Sequence, residues 1–349
     1  MSREAFDRVD GLLRGACGVA FTAAVARIEY RGKLVFERSF GTTRNDAPAR
    51  AVYPDTRFDL ASLSKLFVAT LALRLVAANK LGLDDPAAAT IVEWKKWPNA
   101  NITLRMLLAH TSGMNSGADY RSIAGENVER FALERQLVAS PGERVMYSDL
   151  GFIALGTLIE RVARRGLAAL AAEVFTSETL GFRPRQTVRS QIPATEKDDW
   201  RGRVQGLVHD EKAYLMGGVA GHAGLFGTAA DVAALTEAYL GPLCGRPNAL
   251  LPPAIAYEAV REQAYNPVLR RGLGWALKTS DENSCGARMD ARAFGHTGFV
   301  GTCVWADPAR DLQGVLLTNS VYFGRNDTRA LRAAFFEAAA GDLGLQTVS

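Results

Sequence analysis

Residues 59–70, DLASLSKLFVAT, place Ser62 three positions before Lys65. Side chains three residues apart on a helix lie on the same face, with Cβ atoms about 5–6 Å apart. A lysine in that position can take the proton of a serine hydroxyl, which turns the oxygen into a nucleophile. No other Ser-x-x-Lys segment occurs in the chain. Ser64 does not share the face of Lys65, so we predict Ser62 as the nucleophile.

The neighbours of this pair support a chemical role for it. Leu63, Leu66 and Phe67 surround Lys65 in the sequence, and burial among them is expected to lower the lysine pKa from about 10.4. If Ser62 opens a helix, its backbone N–H has no acceptor within the helix and can bind an oxyanion. The alternative is a serine that caps a helix and is followed by a surface lysine.

The histidines and cysteines do not follow the spacing of a metal site. No HxxxH, HExxH or CxxC segment occurs, and we expect neither a metal nor a cofactor. His110, His209 and His222 lie in turn-rich or glycine-rich segments, where a hydrogen-bonded structural histidine is the simpler interpretation. The cysteines are Cys17, Cys244, Cys285 and Cys303, which we interpret as buried or unreactive thiols.

Strand patterns lie near both ends of the chain, and helical patterns lie between them. The predicted helices are at 3–14, 62–80, 103–110, 148–164, from about 229, and 328–341; the predicted strands are at 19–30, 33–41, 272–278, 302–307 and 314–319. The polar, proline-interrupted segment 183–204 is predicted as a surface connection.

An α+β fold accommodates this order of elements most simply. One antiparallel sheet is built from both termini and flanked by the terminal helices, and a mostly helical domain is inserted into it. We place the sheet domain at residues 1–58 together with 206–349 and the helical domain at 59–205. The active site is expected at the junction, where pockets usually form.

Composition excludes several classes of protein. The 349 residues are 48% hydrophobic and 22% charged, as in globular proteins. The net charge of +4 is spread along the chain, and no run of Lys and Arg exceeds two residues, so we expect no nucleic-acid partner. No apolar run is long enough to span a membrane. The N-terminus lacks a secretory signal pattern, which predicts a cytoplasmic protein, or a periplasmic one if a leader has been removed. The oligomeric state is left open.

Three motifs in the right order carry a family resemblance. They are Ser62-Leu63-Ser64-Lys65, Tyr147-Ser148-Asp149 and His296-Thr297-Gly298. With the phrases LLAHTSGM, PGERVMYSDLGFIALG and GGVAGHAGLFGTAAD, the chain resembles the serine β-lactamase and penicillin-binding-protein superfamily, in particular the branch of class C β-lactamases, D,D-peptidases and related esterases. The resemblance spans about residues 15–335, and it implies a β-lactamase/transpeptidase-like fold.

The resemblance implies a role for each motif. Ser62 would be the acylated nucleophile, Lys65 its base or part of its proton network, and Tyr147 a base for acylation and a proton donor to the leaving group. The segment 296–298 would line the site on an edge strand. The backbone N–H groups of Ser62 and Phe299 would form the oxyanion hole, where the loss of one donor costs on the order of 3 kcal/mol.

Two residues depart from the family pattern. Asp149 stands where the family usually has Asn, and a carboxylate favours a charged Lys65. We therefore expect Lys65 to remain an ammonium and Tyr147 to do more of the base work. His296 replaces a lysine, and the ordinary histidine pKa near 6.5 leaves it mostly neutral at pH 7. Weaker recognition of anionic β-lactams follows. Asn319 and Arg325 are weaker candidates for contact with a substrate carboxylate.

The expected function is that of a serine hydrolase that forms an acyl-enzyme on an ester or amide. Its partner would be a small-molecule or peptide substrate, with a D-Ala-containing peptide or muropeptide as a candidate. One alternative is a class C β-lactamase. Another, from a different class of protein, is a penicillin-binding sensor or a homologue that does not turn over.

Overall fold

A computed structural model describes residues 6–96, 98–117, 123–266, 268–279 and 283–346. In chain order the strands are β1 (Ala23–Tyr30), β2 (Lys33–Gly41), β3 (Phe58–Asp59), β4 (Gly181–Phe182), β5 (Ala194–Asp198), β6 (Gly202–Gln205), β7 (Leu225–Gly227), β8 (Ala264–Asn266), β9 (Leu269–Arg271), β10 (Ala276–Leu277), β11 (Phe294–Thr297), β12 (Cys303–Asp307) and β13 (Leu312–Thr318). The helices are α1 (Asp7–Ala16), α2 (Ser64–Ala77), α3 (Leu104–Leu108), α4 (Val128–Glu134), α5 (Asp149–Ala163), α6 (Leu167–Val174), α7 (Glu211–Leu215), α8 (Ala229–Leu243), α9 (Pro253–Val260) and α10 (Arg329–Asp342).

Both ends of the chain build one antiparallel sheet. Within the described residues it has eight strands in the order β2-β1-β13-β12-β11-β10-β9-β8. The hairpin β1–β2 turns at Arg31 and Gly32, whose φ angles of 53° and 68° lie in the left-handed region that such two-residue turns require. Strand β1 begins at Ala23, four residues later than its pattern predicted.

The two faces of the sheet are buried against different helices. On β13, Leu316 belongs to a core shared with α1 and α10, whereas Val315 and Leu317 face a larger core that includes α8 and α2. This alternation is the period of two that a strand buried on both faces requires. The terminal helices α1 and α10 pack against each other.

Helices α2 to α6 form the inserted layer between β3 and β4. Buried residues lie on all sides of α2, as its nearly uniform apolar pattern predicted, and α2 packs against α5 and α6. The sequence-based fold is therefore confirmed: an antiparallel sheet, terminal helices on its flank and a mostly helical insertion. The domain limits at residues 58 and 205 stay a prediction. No helix in the described part of the chain has the length and apolarity needed to cross a bilayer.

The segment 183–204 differs from its prediction as a plain surface connection. It contains a 3-10 helix, Gln186–Gln191, and the strand β5, which pairs with β6 to form a separate hairpin. Ala194, Thr195 and Val204 are buried there although polar residues surround them in the sequence. Few apolar residues carry the strand pattern in this segment, so the charged residues around them prevent its detection in the sequence.

Asn319 ties three segments together through its side-chain amide. Its Oδ1 accepts from the backbone N–H groups of Thr22 and Ala23 at 3.1 and 2.9 Å. Its Nδ2 donates to Thr22 Oγ1 at 2.8 Å and to the carbonyl of Ala194 at 2.7 Å. These contacts use the full hydrogen-bonding capacity of an amide. The amide of Asn319 therefore has a structural role, whereas its contact with a substrate carboxylate stays a prediction.

Replacing this amide tests the structural interpretation. Asn319→Ala leaves two buried N–H groups without an acceptor and should lower the free energy of unfolding by about 3 kcal/mol. Urea denaturation measures this loss, and KM should be unchanged for the fraction that remains folded. A variant with wild-type stability and a raised KM would instead assign Asn319 to substrate binding.

Candidate active site

Ser62 lies in a strained turn that leads into α2. The turn is a 3-10 helix, Ala61–Leu63, and α2 begins at Ser64, two residues after the helix start predicted from the sequence. Ala61 has a φ of 47°, a left-handed conformation that a residue with a Cβ adopts at a cost. The carboxylate of Asp59 holds this conformation, since it accepts from the N–H of Ala61 at 2.8 Å and from that of His209 at 2.7 Å.

Lys65 is fully buried, with 0% of its surface exposed, and its ammonium has three acceptors. Its Nζ donates to Ser62 Oγ at 2.9 Å and to the carbonyl of His222 at 3.0 Å. It also forms an ion pair with Asp149 Oδ1 at 2.8 Å. An ammonium has three protons. Its charged form is therefore fully hydrogen-bonded by these three oxygens.

The electrostatics of the site favour the charged lysine. Burial by itself would lower the pKa of Lys65, but the charge of Asp149, together with Tyr147, outweighs it and raises that pKa. Burial likewise opposes ionisation of Asp149, yet the charges of Lys65, His222 and Lys212 hold its pKa well below the usual range. The expected depression of the lysine pKa by its apolar neighbours is thus overcome by one carboxylate.

A second lysine completes this buried network. Lys212 Nζ lies 3.1 Å from Asp149 Oδ2 and 3.5 Å from Asp210 Oδ2. Asp210 in turn lies 2.7 Å from His222 Nε2. The charges alternate from Lys65 through Asp149 and Lys212 to Asp210, so each buried charge faces an opposite one. Sequence reasoning missed Lys212 because no spacing relates it to Ser62.

The glycine-dense loop 217–224 brings the carbonyl of His222 to Lys65. A Cβ at Gly221 would lie 1.9 Å from the carbonyl oxygen of Phe152 on α5, so only glycine permits this approach. Past the loop, the N–H of Leu225 donates to Ser64 Oγ at 3.1 Å. The second serine of the SLSK segment therefore anchors β7 to the start of α2.

Tyr147 is packed between cations and a neutral histidine. Lys65 Nζ lies 4.9 Å and Arg271 Cζ 5.3 Å from the centroid of its ring. The ring of His110 lies 4.6 Å away, and its Nδ1 accepts from the N–H of Ser148 at 3.1 Å. Burial, with the nearby positive charges of Arg271 and Lys65, lowers the pKa of His110 well below its usual value. His110 is therefore a neutral structural support for Tyr147.

The segment 296–298 does not lie on an edge strand, contrary to the prediction. Strand β11 lies between β12 and β10. However, β10 is two residues long and pairs only with Phe294 and Gly295. His296 and Thr297 extend past the end of β10 and line the cleft. This end of an interior strand therefore has no strand partner on the β10 side within the described residues, and it faces the cleft.

His296 is held neutral within the cleft wall. Its Nδ1 lies 2.8 Å from the carbonyl of Thr297, which places the proton on Nδ1. Burial and the charge of Arg271 lower its pKa well below the usual value. The expectation of a neutral His296 therefore agrees with its surroundings.

Gly298 allows the end of β11 to contact the turn that contains Ser62. A Cβ there would lie 2.1 Å from Thr302 Oγ1 and 2.9 Å from the carbonyl of Leu60. Thr302 Oγ1 also donates to that carbonyl at 3.2 Å. Within the described part of the chain, the N–H groups of Ser62 and Phe299 have no assigned acceptor, as an oxyanion hole requires.

A cleft of about 790 Å³ opens over these groups. Ser62, Tyr147, His296, Thr297 and Phe299 are among its lining residues, together with Arg270, Arg271, Arg325, Arg329 and Arg332. Arg325, a weaker candidate for contact with a substrate carboxylate, also lines the cleft, and its guanidinium is paired with Glu196 at 2.7 Å and Glu211 at 2.8 Å. The site residues predicted from the three motifs are thus brought together, whereas Asn319, which was predicted apart from these motifs, is not among the described residues that line the cleft.

Comparison with known proteins identifies the family. The family model described as Beta-lactamase matches residues 16–339. The chain belongs to the beta-lactamase family. Its N-acetylmuramyl-L-alanine amidase relative from Bacillus subtilis (strain 168) is 28% identical over 361 residues, which cover 89% of this chain and 80% of the relative. A putative D-alanyl-D-alanine carboxypeptidase of Escherichia coli (strain K12) is 28% identical over 364 residues, covering 90% and 82%.

The fold is also found in solved structures. EstCE1, a hydrolase with promiscuous acyltransferase activity, has a TM-score of 0.78 at 21% sequence identity, covering 95% of this chain and 98% of that one. The resemblance inferred from the motifs is therefore confirmed, and the chain is a member of a family of serine hydrolases. The roles of individual site residues remain predictions from motif and geometry.

Asp149→Asn tests the ion pair at the centre of the site. Without the carboxylate, burial should dominate and bring the pKa of Lys65 below its ordinary value of about 10.4. Lys65 loses its charged partner and Lys212 keeps only Asp210, so the free energy of unfolding at pH 7 should fall by about 3 kcal/mol. NMR titration of the lysine side chains and urea denaturation measure the two effects.

The pH dependence of this difference has a defined sign. The Asp149 pKa is lowered in the folded protein, so its stabilising effect is present above the unfolded value near 3.9 and is lost as the pH falls below it. The stability gap between parent and variant should therefore narrow below about pH 4. A Lys65 pKa well below 8 in the parent would contradict the ammonium assignment.

Proposed function

We propose that this protein hydrolyses esters or amides through an acyl-enzyme on Ser62. The observation that carries the proposal is the 2.9 Å contact between Ser62 Oγ and the buried Nζ of Lys65, at the surface of a cleft that Ser62 lines. The alternative, a serine that caps a helix and is followed by a surface lysine, requires an exposed lysine side chain. Lys65 is instead fully buried. Membership of the beta-lactamase family supports the same chemistry.

The first half of the reaction forms the acyl-enzyme. Ser62 Oγ attacks the substrate carbonyl carbon, and the hydroxyl proton passes to Tyr147, whose oxygen accepts it as a phenolate. The three acceptors around Lys65 favour an ammonium that keeps its own protons and orients Ser62. The developing oxyanion is stabilised by the N–H groups of Ser62 and Phe299. The bond to the leaving group then breaks, and Tyr147 returns the proton to it.

The second half hydrolyses the acyl-enzyme. Water attacks the ester carbon of Ser62 and loses a proton to Tyr147. As the ester bond breaks, Tyr147 gives that proton to Ser62 Oγ, which releases a carboxylic acid and restores the Ser62 hydroxyl. Tyr147 is suited to act twice because its ring is fixed against His110 and Lys65. The same groups therefore serve both acylation and deacylation.

For the substrate, we propose a D-Ala-containing peptide or muropeptide. The names of the two relatives, an amidase acting on N-acetylmuramyl-L-alanine and a putative D-alanyl-D-alanine carboxypeptidase, favour cell-wall fragments. The neutral His296 argues against efficient hydrolysis of β-lactams, because a permanent cation is missing at that position. A class C β-lactamase and a non-turning-over penicillin-binding homologue are the competing functions.

The two serines of the SLSK segment provide a matched test of the nucleophile. Ser62→Ala should abolish the covalent adduct with a fluorescent penicillin and the release of nitrophenolate from p-nitrophenyl butyrate. Ser64→Ala removes only the acceptor of the Leu225 N–H and should lower stability by about 1 kcal/mol while retaining acylation. Intact-mass measurement and absorbance detect the two products.

Either of two results would refute the proposal. One is wild-type acylation by the Ser62→Ala protein. The other is a parent protein that forms no adduct and hydrolyses no ester while its fold is intact by circular dichroism. A parent that forms the adduct and never releases it would instead favour the sensor.

A substrate panel separates the competing enzymes. We expect release of D-alanine from an N-acetylated D-Ala-D-Ala tripeptide, and a kcat/KM for a chromogenic cephalosporin below about 10⁵ M⁻¹s⁻¹, the lower part of the usual enzyme range. His296→Lys, which restores the permanent charge, is the matched variant and should raise the cephalosporin rate. Efficient cephalosporin hydrolysis by the parent, without action on the peptide, would favour the β-lactamase alternative.

A further inference from the structure

Arg332 on α10 donates to the peptide unit that carries one of the two N–H groups of the oxyanion hole. Its Nη2 lies 2.6 Å from the carbonyl oxygen of Gly298, in a buried contact. That carbonyl and the N–H of Phe299 belong to the same peptide bond. The bond is trans, so its carbonyl and its N–H point in opposite directions. A donor that fixes the carbonyl therefore also fixes the direction of the Phe299 N–H.

The turn between β11 and β12 holds the same carbonyl a second time. The N–H of Gly301 donates to the carbonyl of Gly298 at 3.1 Å, and the N–H of Gly298 donates to the carbonyl of Thr302 at 2.7 Å. Gly301 has a φ of 112°, and a Cβ there would lie 2.1 Å from Thr318 Oγ1, so the turn is packed against the end of β13. A carbonyl oxygen has two lone pairs, and both are used at Gly298.

The Arg332 guanidinium is a costly donor for a turn that is already closed. Only 8% of the residue's surface is exposed, and its Nε is buried without a hydrogen-bond partner among the described residues. Burial lowers the pKa of the guanidinium. The carboxylate that acts on it, Asp327, is mostly exposed and lies 3.7 Å from Arg329. A neutral donor would serve the carbonyl at a lower desolvation cost, so the charge itself is the feature that needs a function.

The position of Gly298 relates this peptide to the nucleophile. A Cβ at Gly298 would lie 2.9 Å from the carbonyl oxygen of Leu60 and 3.2 Å from Cβ of Ala61, so the peptide rests on the turn that contains Ser62. Helices α10 and α2 belong to the cores on opposite faces of the sheet. Arg332 therefore reaches the peptide from the helix layer opposite the one that carries the nucleophile turn.

The charge can act on the oxyanion hole through the peptide. Donation to a carbonyl oxygen withdraws electron density from the amide nitrogen, and hydrogen bonds in such a chain strengthen one another by roughly 10–30%. A charged donor forms a hydrogen bond about twice as strong as a neutral one, so its effect on the amide is larger. The N–H of Phe299, on the other side of the peptide, thereby becomes a stronger donor to a developing oxyanion.

We propose that Arg332 is a positioning residue of the oxyanion hole, which holds and polarises the Gly298–Phe299 peptide so that the Phe299 N–H stabilises the transition state of acylation. The inference rests on the proposed function and deepens it, because it gives α10 a part in the reaction that none of the three motifs indicates. Arg332 acts through the peptide and not on the reacting atoms. Its loss should therefore slow acylation and leave substrate binding unchanged.

Arg332→Met tests this role, because methionine keeps the apolar part of the side chain and removes the donor. The rate of acylation by p-nitrophenyl butyrate should fall about tenfold, less than the roughly 10²–10³-fold loss that follows removal of an oxyanion donor itself. The dissociation constant of the ester should change by less than about twofold, since the interaction strengthens only in the transition state. Stopped-flow detection of nitrophenolate gives both constants. Arg332→Lys, which restores a charged donor, should recover part of the rate.

Arg74→Met is the matched control. Nη1 of Arg74 donates to the carbonyl of Leu250 at 2.6 Å, which is the same kind of bond at the same length, near the C-terminal end of α2. This variant loses a comparable hydrogen bond and should acylate at the parent rate. An equal loss of rate in the two variants would show a general effect of destabilisation and would overturn the proposal.

The pH profile tests a different role for the same charge. Loss of a cation raises the pKa of a neighbouring base, and the rate then recovers at higher pH. We expect instead that Arg332→Met lowers the acylation rate by the same factor at each pH, with the midpoint of the profile unchanged. A shifted midpoint with full recovery of the rate would assign Arg332 to the electrostatics of the base, against the proposal.

NMR separates this inference from the proposed function, because it needs no turnover. With ¹³C-carbonyl glycine and ¹⁵N phenylalanine, correlations arise only from the peptides Gly151–Phe152, Gly181–Phe182 and Gly298–Phe299. In the Ser62→Ala protein, Arg332→Met should move the Gly298 carbonyl signal upfield, because a lost donor increases the shielding of the carbonyl carbon. The other two signals should stay in place. If Arg332→Met is poorly folded, Arg332→Gln, which lacks the charge, replaces it in all of these measurements.

The outcomes of these experiments distinguish the two proposals. Acylation at the parent rate by Arg332→Met, or a Gly298–Phe299 signal that does not move, overturns the role of Arg332 and leaves the hydrolase in place. A parent protein that is acylated by no ester refutes the proposed function. The carbonyl signal then decides by itself whether Arg332 polarises the peptide.

Discussion

The buried ion pair between Lys65 and Asp149 is the interaction on which the rest of the site depends. Lys65 has no contact with water, so every proton of its ammonium must find an acceptor inside the protein. The three acceptors come from three separate segments: the turn Ala61–Leu63, the start of α5 and the glycine-dense loop 217–224. Full hydrogen bonding of the Lys65 ammonium therefore requires all three segments to be in place, so this buried charge also fixes their geometry.

Close backbone approach is the means by which these segments meet. Gly221 allows the loop 217–224 to contact α5, and Gly298 allows the end of β11 to contact the turn Ala61–Leu63. Gly274 allows the turn after β9 to contact α2. At each position a Cβ would overlap its neighbour. The strain at Ala61 is retained because Asp59 and the packed turn fix it from two sides. The position of Ser62 is therefore fixed mainly by the packing of these segments against one another, and much less by the conformational preference of its own turn, Ala61–Leu63.

This explains which parts of the molecule could be predicted from the sequence. The pattern of apolar residues predicted the buried helix α2 and the hairpin β1–β2, because both are dictated by local periodicity and turn chemistry. Ser62 and Lys65 are linked by helical spacing, and their contact was predictable for the same reason. Lys212 and Arg271 have no such spacing to Ser62, so only the folded chain brings them to it. The hairpin β5–β6 could not be predicted because its strands contain few apolar residues. The unpaired end of β11 at His296 could not be predicted because it depends on the two-residue length of β10.

The charge balance of the site follows from the same constraint. Lys65, Lys212 and Arg271 are buried near two carboxylates, Asp149 and Asp210, and the two histidines beside them are kept neutral by burial and by the cations. Asp149 offsets Lys65 and Lys212, whereas Arg271 remains without a carboxylate in the described residues. A site with a surplus cation is less stable without an anion than with one, because the anion removes the desolvation cost of the guanidinium. The desolvation cost of the Arg271 guanidinium is therefore borne by the packing that fixes its strand, including the contact of Gly274 with α2.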